Sequence, residues 1–229
     1  MNNMFTAMLA AAAARVEIPI DGSTGVWIKA GATVISSGME MVNATVSSGQ
    51  TQTLYARGRT TSNTILTGGR MNISAGGTAT GAVLSAGYAY IYNGGGTVGA
   101  TVYTGARMYV YAGALTSGDT LSAGLYYISS GGTAAGLTVA AGNAYVYAHG
   151  TTVGAVVNGG ALNLVAGIAS DTTINHYGKL NISTTASASG VIVESGGSLS
   201  VFSGGTALAV TSNAGAVIVV SDGGHIEYA

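Results

Sequence analysis

The sequence predicts an all-β fold, a β-solenoid of about ten coils. Three observations carry this prediction. Apolar residues recur at steps of 17 to 19 residues, many of them form pairs two positions apart, and glycine-rich turns separate the pairs. A unit this short cannot bury its apolar residues alone, so successive units must stack and build one continuous core. A barrel of β-hairpins is the alternative, but hairpins need no constant period.

The composition is far from that of an ordinary globular domain. Of the 229 residues only 7% are charged, whereas ordinary domains hold roughly 25%. With 48% hydrophobic residues and a net charge of −1, the chain lacks the low hydrophobicity and high charge of disordered proteins. Its seven Lys and Arg form no basic stripe, so we expect no nucleic-acid partner. The absence of Cys excludes disulfides and thiolate metal sites.

The N-terminal residues depart from the repeat. Residues 4–15 are rich in Ala, Met and Leu, which predicts a short helix. No Lys or Arg precedes this apolar stretch, as a signal peptide would require, and the stretch is too short to span a bilayer. We therefore expect no transmembrane segment. Residues 1–32 are expected to form a helix and a cap that covers the first strand edge.

The solenoid is expected over residues 33–224, with two inward columns of apolar side chains. The first column comprises Val46, Ile65, Val83, Val102, Leu121, Val139, Val157, Ile174, Val193 and Val210. The second comprises Leu54 and Val219 at its ends and, between them, the predicted core ladder of Ile73, Ile91, Val110, Ile128, Val146, Leu164, Ile182 and Val201. A further inward residue precedes most members of the second column by two positions, from Met71 to Val217.

Residues 225–229 are expected to form a C-terminal tail. Near it, Asp222, His225 and Glu227 gather polar groups that the middle of the chain lacks. A solvated cap explains these residues, and a contact with an ion or a partner is the alternative.

Two segments, Thr64–Ala79 and Val193–Ala207, resemble the strand-loop-strand repeats in passenger domains of autotransporter adhesins of the diffuse-adherence type. The resemblance extends over about residues 33 to 224. It implies a right-handed parallel β-helix, surface display, adhesion or self-association and, in some members, glycosylation of Ser and Thr. It implies no catalytic residues.

Tyrosines cluster around the second column. Neighbours on either side of an inward strand residue point away from the core, so stacked coils would align them. The candidate interaction surface comprises Tyr90, Tyr92, Tyr109, Tyr111, Tyr127, Tyr145 and Tyr147. These rings either stabilise a flat sheet or form a surface that binds a glycan or another protein. The low charge of the chain favours a protein partner or a homo-oligomer over a cell-surface glycan.

We expect no catalytic, cofactor-binding or metal-binding site. The four Asp residues are spread along the chain, whereas catalytic acids and bases must meet at one substrate. Asp171 and His176 are close in sequence but are predicted to flank one strand, and His149 is predicted to lie in a turn.

The sequence therefore favours a non-enzymatic, adhesive or self-assembling β-solenoid, extracellular or on a bacterial cell surface. A phage virion component, such as a fibre, tail or head-decoration subunit, is the alternative. A carbohydrate-active enzyme with a β-helix fold is the third and least favoured hypothesis, because no carboxylates cluster.

Overall fold

A computed structural model describes residues 24–229, which form strands and turns without a helix. The predicted helix at residues 4–15 lies outside the described residues. Within the described range, no helix is long and apolar enough to cross a membrane.

Each coil of the chain contributes three short strands, one to each of three faces. With strands numbered in chain order, face 1 comprises β5 (Gln50–Leu54), β8 (Arg70–Ile73), β11 (Tyr88–Ile91), β14 (Arg107–Val110), β17 (Leu125–Ile128), β20 (Asn143–Val146), β23 (Ala161–Leu164), β26 (Lys179–Ile182), β29 (Ser198–Val201) and β31 (Val217–Val220). Face 2 comprises β3 (Glu40–Val42), β6 (Arg59–Thr61), β9 (Thr78–Thr80), β12 (Gly96–Val98), β15 (Leu115–Ser117), β18 (Thr133–Ala135), β21 (Thr151–Val153), β24 (Ile168–Ser170), β27 (Ser187–Ser189), β30 (Thr206–Ser212) and β32 (His225–Tyr228). Face 3 comprises β4 (Thr45–Val46), β7 (Thr64–Ile65), β10 (Val83–Leu84), β13 (Thr101–Val102), β16 (Thr120–Leu121), β19 (Thr138–Val139), β22 (Val156–Val157), β25 (Thr173–Ile174), β28 (Ile192–Val193) and the end of β30.

Strands of successive coils pair in parallel, so equivalent residues stack directly on one another. On face 1, Ile73 pairs with Ile91, which pairs with Val110 in the next coil. The step between equivalent residues is 18 or 19 positions on face 1, and it falls to 17 at one coil of faces 2 and 3. The predicted parallel β-solenoid of about ten coils is therefore confirmed.

The inward side chains of the three faces stack in columns along the solenoid, and together they form one continuous core. The structure places all eight residues of the predicted core ladder in one inward column of face 1, and none of them has exposed surface. The parallel inward column, two residues earlier, includes Met71, Ala89 and Met108.

The strand of face 2 was not predicted. Its inward residues are small or polar, such as Ala79, Thr97 and Ala134, so they lack the aliphatic signal that marks the other two faces. Ala and Thr are smaller than Val and Ile and so take less room inside the coil. Because face 2 adds a third strand, each coil has three strands separated by three corners.

Four residues of the predicted columns are displaced. Leu84, not Val83, lies inward beside Ile65, because Val83 takes the outward place that Thr64 and Thr101 hold. Likewise, Val220 takes the second-column place assigned to Val219, and Ile218 takes the inward place assigned to Val217. Ser212 takes the first-column place assigned to Val210, although Val210 itself is buried. For Val83, Val217 and Val219, an adjacent apolar residue leaves the inward member undetermined by alternation alone. For Val210, the register of β30 shifts between Ala207 and Val210.

The corner after face 2 has the same backbone conformation in all ten coils. The residue there has a positive φ, between 49° and 66°. Glycine adopts this conformation without strain and is the commonest residue at this corner. The set is Asn43, Ser62, Gly81, Gly99, Gly118, Gly136, Gly154, Asp171, Gly190 and Ala209.

An antiparallel strand pair covers face 1 at the N-terminal end. Strand β1 (Val26–Ala30) pairs antiparallel with β5 and with β2 (Thr33–Gly38). Its residues Val26 and Ile28 are buried against the first coil. The reversed direction of β1 ends the parallel stacking on this side of the solenoid.

Candidate interaction surface

A column of four stacked tyrosine rings runs along the outside of face 1. Tyr90, Tyr109, Tyr127 and Tyr145 are paired in register from coil to coil, because each lies one residue before an inward aliphatic residue. Successive ring centroids are 5.0, 4.9 and 5.5 Å apart, and the ring planes differ by 5°, 13° and 14°. These distances are those of stacked aromatic pairs.

A second column, of Tyr92, Tyr111 and Tyr147, lies immediately after the strand ends. Tyr92 and Tyr111 stack with centroids 5.3 Å apart, and Ser129 takes the tyrosine place between Tyr111 and Tyr147. The two columns lie side by side. The ring centroids of Tyr109 and Tyr111 are 6.4 Å apart, and those of Tyr127 and Tyr147 are 6.5 Å apart. The structure thus brings all seven sequence-predicted tyrosines together in one array, which we call the tyrosine array.

Stacking covers the ring faces within the first column. Within the first column each inner ring is sandwiched between the rings above and below. The remaining face of Tyr90 is covered by the guanidinium of Arg70, 5.2 Å from the ring centroid. Beyond Tyr145, Asn163 takes the next place in the column. The exposed part of the first column is therefore a row of ring edges and phenol hydroxyls.

Sequence reasoning missed Tyr88, Arg70 and Arg107, which border the array. Tyr88 lies in the other outward column of face 1, between the two arginines, and its ring centroid is 6.5 Å from that of Tyr90. The guanidinium of Arg107 lies 5.9 Å from the centroid of Tyr88. A cation over an aromatic ring contributes about 0.5 to 1 kcal/mol at exposed sites. The alternation of the strand would have indicated these neighbours.

The strands of face 1 carry cations and phenols but no carboxylate. They contain Arg70, Arg107 and Lys179, and no Asp or Glu. Burial is the main cause that raises the pKa of Tyr111 and of Tyr127, and neighbouring tyrosines raise both further. The phenols of Tyr111 and Tyr127 therefore keep their protons at neutral pH and can donate hydrogen bonds.

A buried polar cluster lies inside the solenoid beneath this region. Asp119 accepts hydrogen bonds from the hydroxyls of Thr97 (2.6 Å) and Tyr126 (2.9 Å) and from the backbone N–H of Ala100 (2.8 Å). The Tyr126 hydroxyl also lies 2.7 Å from that of Thr116. Burial raises the pKa of Asp119, although these three hydrogen bonds oppose the shift. The cluster is closed to solvent, so it stabilises the coil interior and offers no site to a substrate.

The other polar residues considered from the sequence stay apart. Asp171 and His176 lie on either side of β25, and His149 is exposed in a turn. Across residues 24–229, no group of three His, Asp or Glu side chains is arranged to hold a metal ion.

Among solved structures, the chain is similar to a hyper-glycosylated TibA 55–350 fragment whose glycosylation is catalysed by TibC. The TM-score is 0.65 at 26% sequence identity, and the match covers 83% of this chain and 82% of that fragment. No protein-family model matches the sequence, and neither does any curated protein. The match confirms the resemblance to passenger repeats of autotransporter adhesins that the sequence indicated.

Proposed function

We propose that this chain is an adhesive structural module that is displayed outside the cell or on its surface and acts through contact, not catalysis. The observation that carries the proposal is the tyrosine array, which lies on a carboxylate-free face of an adhesin-type solenoid. The match to the TibA fragment supports an adhesive structural role and gives no support to the virion alternative.

The array suits a protein partner better than a sugar. A sugar ring stacks on the face of an aromatic side chain, but the faces in the first column are taken by neighbouring rings and by Arg70. A protein surface can instead pack against ring edges and accept hydrogen bonds from phenol hydroxyls. Tyrosine is enriched at protein interfaces because it combines a large apolar body with a polar end.

The array is also rigid before any partner arrives. Its four stacked rings span three coil steps, about 14 Å at ~4.8 Å per coil. Side chains already held by their neighbours lose little conformational freedom on binding, so contact with a partner costs less. A preordered aromatic row therefore favours adhesion to a protein surface that offers both apolar groups and hydrogen-bond acceptors.

The proposal is tested with the full chain coupled to beads, which are offered to cells and to protein-coated surfaces. We expect Tyr109→Ser and Tyr127→Ser to reduce bead adhesion. Tyr103→Ser is the control, because Tyr103 is a solvent-exposed tyrosine that lies outside the array, after the face 3 strand β13. Equal adhesion by all variants would overturn the role of the array. Hydrolysis of a polysaccharide by the purified chain would overturn the non-enzymatic role.

A further inference from the structure

All the cations on the strands of face 1 lie in a single outward column. In strand register this column runs from Arg70 through Tyr88 to Arg107 and continues over four further coils to Lys179. The three cationic side chains are exposed. We call Arg70, Arg107 and Lys179 the cation row. It runs parallel to the column of stacked tyrosines, which lies two residues further along each strand.

The spacing of the cation row sets a requirement on any ligand that contacts all of it. Two coil steps separate Arg70 from Arg107, and four separate Arg107 from Lys179. At ~4.8 Å per coil, Arg107 lies about 9.6 Å and Lys179 about 29 Å from Arg70 along the solenoid axis. A ligand that pairs with all three cations must present anionic groups at these distances on one of its sides.

The strands of face 1 provide no anion for the cation row. Arg107 has Tyr88 and Leu125 as its neighbours in the column, and no strand of this face contains Asp or Glu. The guanidiniums of Arg70 and Arg107 lie instead over the rings of Tyr90 and Tyr88, at 5.2 and 5.9 Å from the ring centroids. The row is therefore a positive strip that is complementary in charge to an acidic partner.

A peptide in the polyproline II conformation matches the spacing of the row. It has three residues per turn and rises ~3.1 Å per residue, so every third side chain lies on the same side. Its side chains i+3 and i+9 lie about 9.3 and 28 Å from side chain i, within about 1 Å of the cation positions. A β-strand repeats one face every ~6.8 Å, and the same-face positions i+7 and i+18 of an α-helix lie about 10.5 and 27 Å from i. Both match the row less closely.

The adjacent tyrosine column suits the backbone of such a peptide. Polyproline II has no internal hydrogen bonds, so its carbonyl groups are free to accept hydrogen bonds from a partner. Two coil steps separate Tyr90 from Tyr127, about 9.6 Å, which is close to one turn of the peptide. The phenol of Tyr127 keeps its proton at neutral pH and can donate to a carbonyl. Aromatic surfaces bind proline-rich segments because these segments are ordered before they bind.

We propose that face 1 binds an acidic, proline-rich segment of a partner protein in the polyproline II conformation, with carboxylates i, i+3 and i+9 paired with Arg70, Arg107 and Lys179. The segment lies along the solenoid axis, and its carbonyl groups accept hydrogen bonds from every second phenol of the tyrosine column. This inference rests on the proposed adhesive function and gives the chemistry of the protein that is bound.

The test measures binding of a fluorescein-labelled peptide of six Pro-Pro-Glu repeats to the full chain by fluorescence anisotropy. The matched peptide has six Pro-Pro-Pro-Glu repeats, which keep the charge and the conformation but place the carboxylates four residues apart. This period allows only one carboxylate to meet the row, so we expect a dissociation constant about tenfold higher. Six Pro-Pro-Gln repeats should bind still more weakly, and added salt should weaken only the two acidic peptides.

Variants of the cation row show where the peptide binds. Arg70→Gln, Arg107→Gln and Lys179→Gln are each expected to raise the dissociation constant of the Pro-Pro-Glu peptide about two- to fivefold, as exposed ion pairs do. In the triple variant, the two acidic peptides should bind equally. Arg59→Gln is the matched control, because it removes the same charge from an exposed arginine on the face 2 strand β6. It should leave the binding of the peptide unchanged.

Several outcomes would overturn the inference. These are equal binding of the two acidic peptides to the natural chain, no binding of either, or an equal loss on Arg59→Gln. Tighter binding of polygalacturonate, lost on Arg107→Gln, would assign the row to an acidic polysaccharide instead.

Bead adhesion separates this inference from the proposed function. Adhesion that falls on Tyr109→Ser but not on the three cation variants would leave the adhesive role standing and overturn the acidic partner. Peptide binding that persists while no variant of face 1 changes adhesion would overturn the adhesive role alone.

Discussion

Asn63 and Asp119 occupy the same corner of the solenoid three coils apart, and each accepts a backbone hydrogen bond from the coil below. Ala44 N–H donates to Oδ1 of Asn63 and Ala100 N–H to Oδ1 of Asp119, both at 2.8 Å. The two residues differ in the hydrogen bonding of the other terminal side-chain atom, Oδ2 in Asp119 and Nδ2 in Asn63. Two hydroxyls donate to Oδ2 of Asp119, whereas Nδ2 of Asn63 has no hydrogen-bond partner.

Asp119→Asn is expected to fold and to be at least as stable as the natural chain at neutral pH. The amide can accept the Ala100 N–H as Asn63 accepts that of Ala44, and its Nδ2 can donate to the hydroxyls of Thr97 and Tyr126. A neutral amide also avoids the cost of burying a carboxylate. Urea unfolding at neutral pH measures the difference. Asp119→Ala is the contrast, since the unpaired N–H of Ala100 alone costs about 1 to 3 kcal/mol.

The same carboxyl gives stability a pH dependence. Burial raises the pKa of Asp119 in the folded chain above its unfolded value, so the folded state holds the proton more tightly. The contribution of the protonated Asp119 carboxyl to folding stability is therefore fully present below the pKa of about 4 that Asp has in the unfolded chain. It is lost as pH rises through the raised pKa of Asp119 in the folded chain. Unfolding free energies measured across this range should fall with rising pH in the natural chain. In Asp119→Asn this fall should be absent, and a fall of equal size would contradict the assignment.

Val110→Asp is expected to unfold the central coils. Val110 has no exposed surface and lies between Ile91 and Ile128 in the inward column. An unpaired buried carboxylate costs several kcal/mol. Loss of the β-sheet circular dichroism signal, or a large fall in the urea midpoint, would show it. Arg107→Asp on the same strand, facing solvent, should change the unfolding free energy by only about 1 kcal/mol, since the contact with Tyr88 is lost but the core is untouched.

Gly118 tests the corner conformation. Its φ is 63°, and no atom lies within 4 Å of the position that a Cβ would take, so only backbone strain opposes substitution. Gly118→Val is expected to cost about 1 to 2 kcal/mol or more, because a β-branched residue disfavours this conformation. Gly118→Asn should cost clearly less, since Asn43 holds the equivalent corner. Equal losses in thermal unfolding would show that the corner does not need this conformation.

The stacking energy of the tyrosine array can be measured with a double-mutant cycle. Tyr109 and Tyr127 stack at 4.9 Å. The unfolding free energy lost on replacing both by Ser should be smaller than the sum of the losses in the two single variants. The difference, which is the coupling energy, should be about 0.5 to 1.5 kcal/mol. Each single variant should remain folded, because the core ladder beneath is untouched. A coupling of zero would mean that the rings do not stabilise one another.

Sequence periodicity was enough to predict the columns of face 1. Residues such as Ile73, Val110 and Ile182 are aliphatic at a constant step, and the outward place of Tyr109 follows from strand alternation beside Val110. The inward side of face 2 was not predictable in this way. Ala79 and Ala134 give no hydrophobic contrast with their neighbours, so this strand can be recognised only from the stacking of the other faces.

The buried role of Asp119 was also missed, although a signal was present. The segments Gly99-Ala100-Thr101 and Gly118-Asp119-Thr120 align when the corner glycines are used as reference points. This alignment places Asp119 where an inward alanine stands in the preceding coil. The sequence could not show which hydroxyls surround the carboxylate, since Thr97 and Tyr126 come from the neighbouring coils.

The recurrence of one corner geometry in every coil bears on how such a chain changes in length during evolution. A coil contacts only the coils next to it and begins and ends at equivalent backbone positions. Duplication or loss of one whole unit of 17 to 19 residues therefore leaves every remaining junction intact, whereas an insertion of one residue inside a strand would shift its side chains to the wrong face. Gene rearrangement can thus lengthen or shorten the rod by whole turns while its two ends stay as they are.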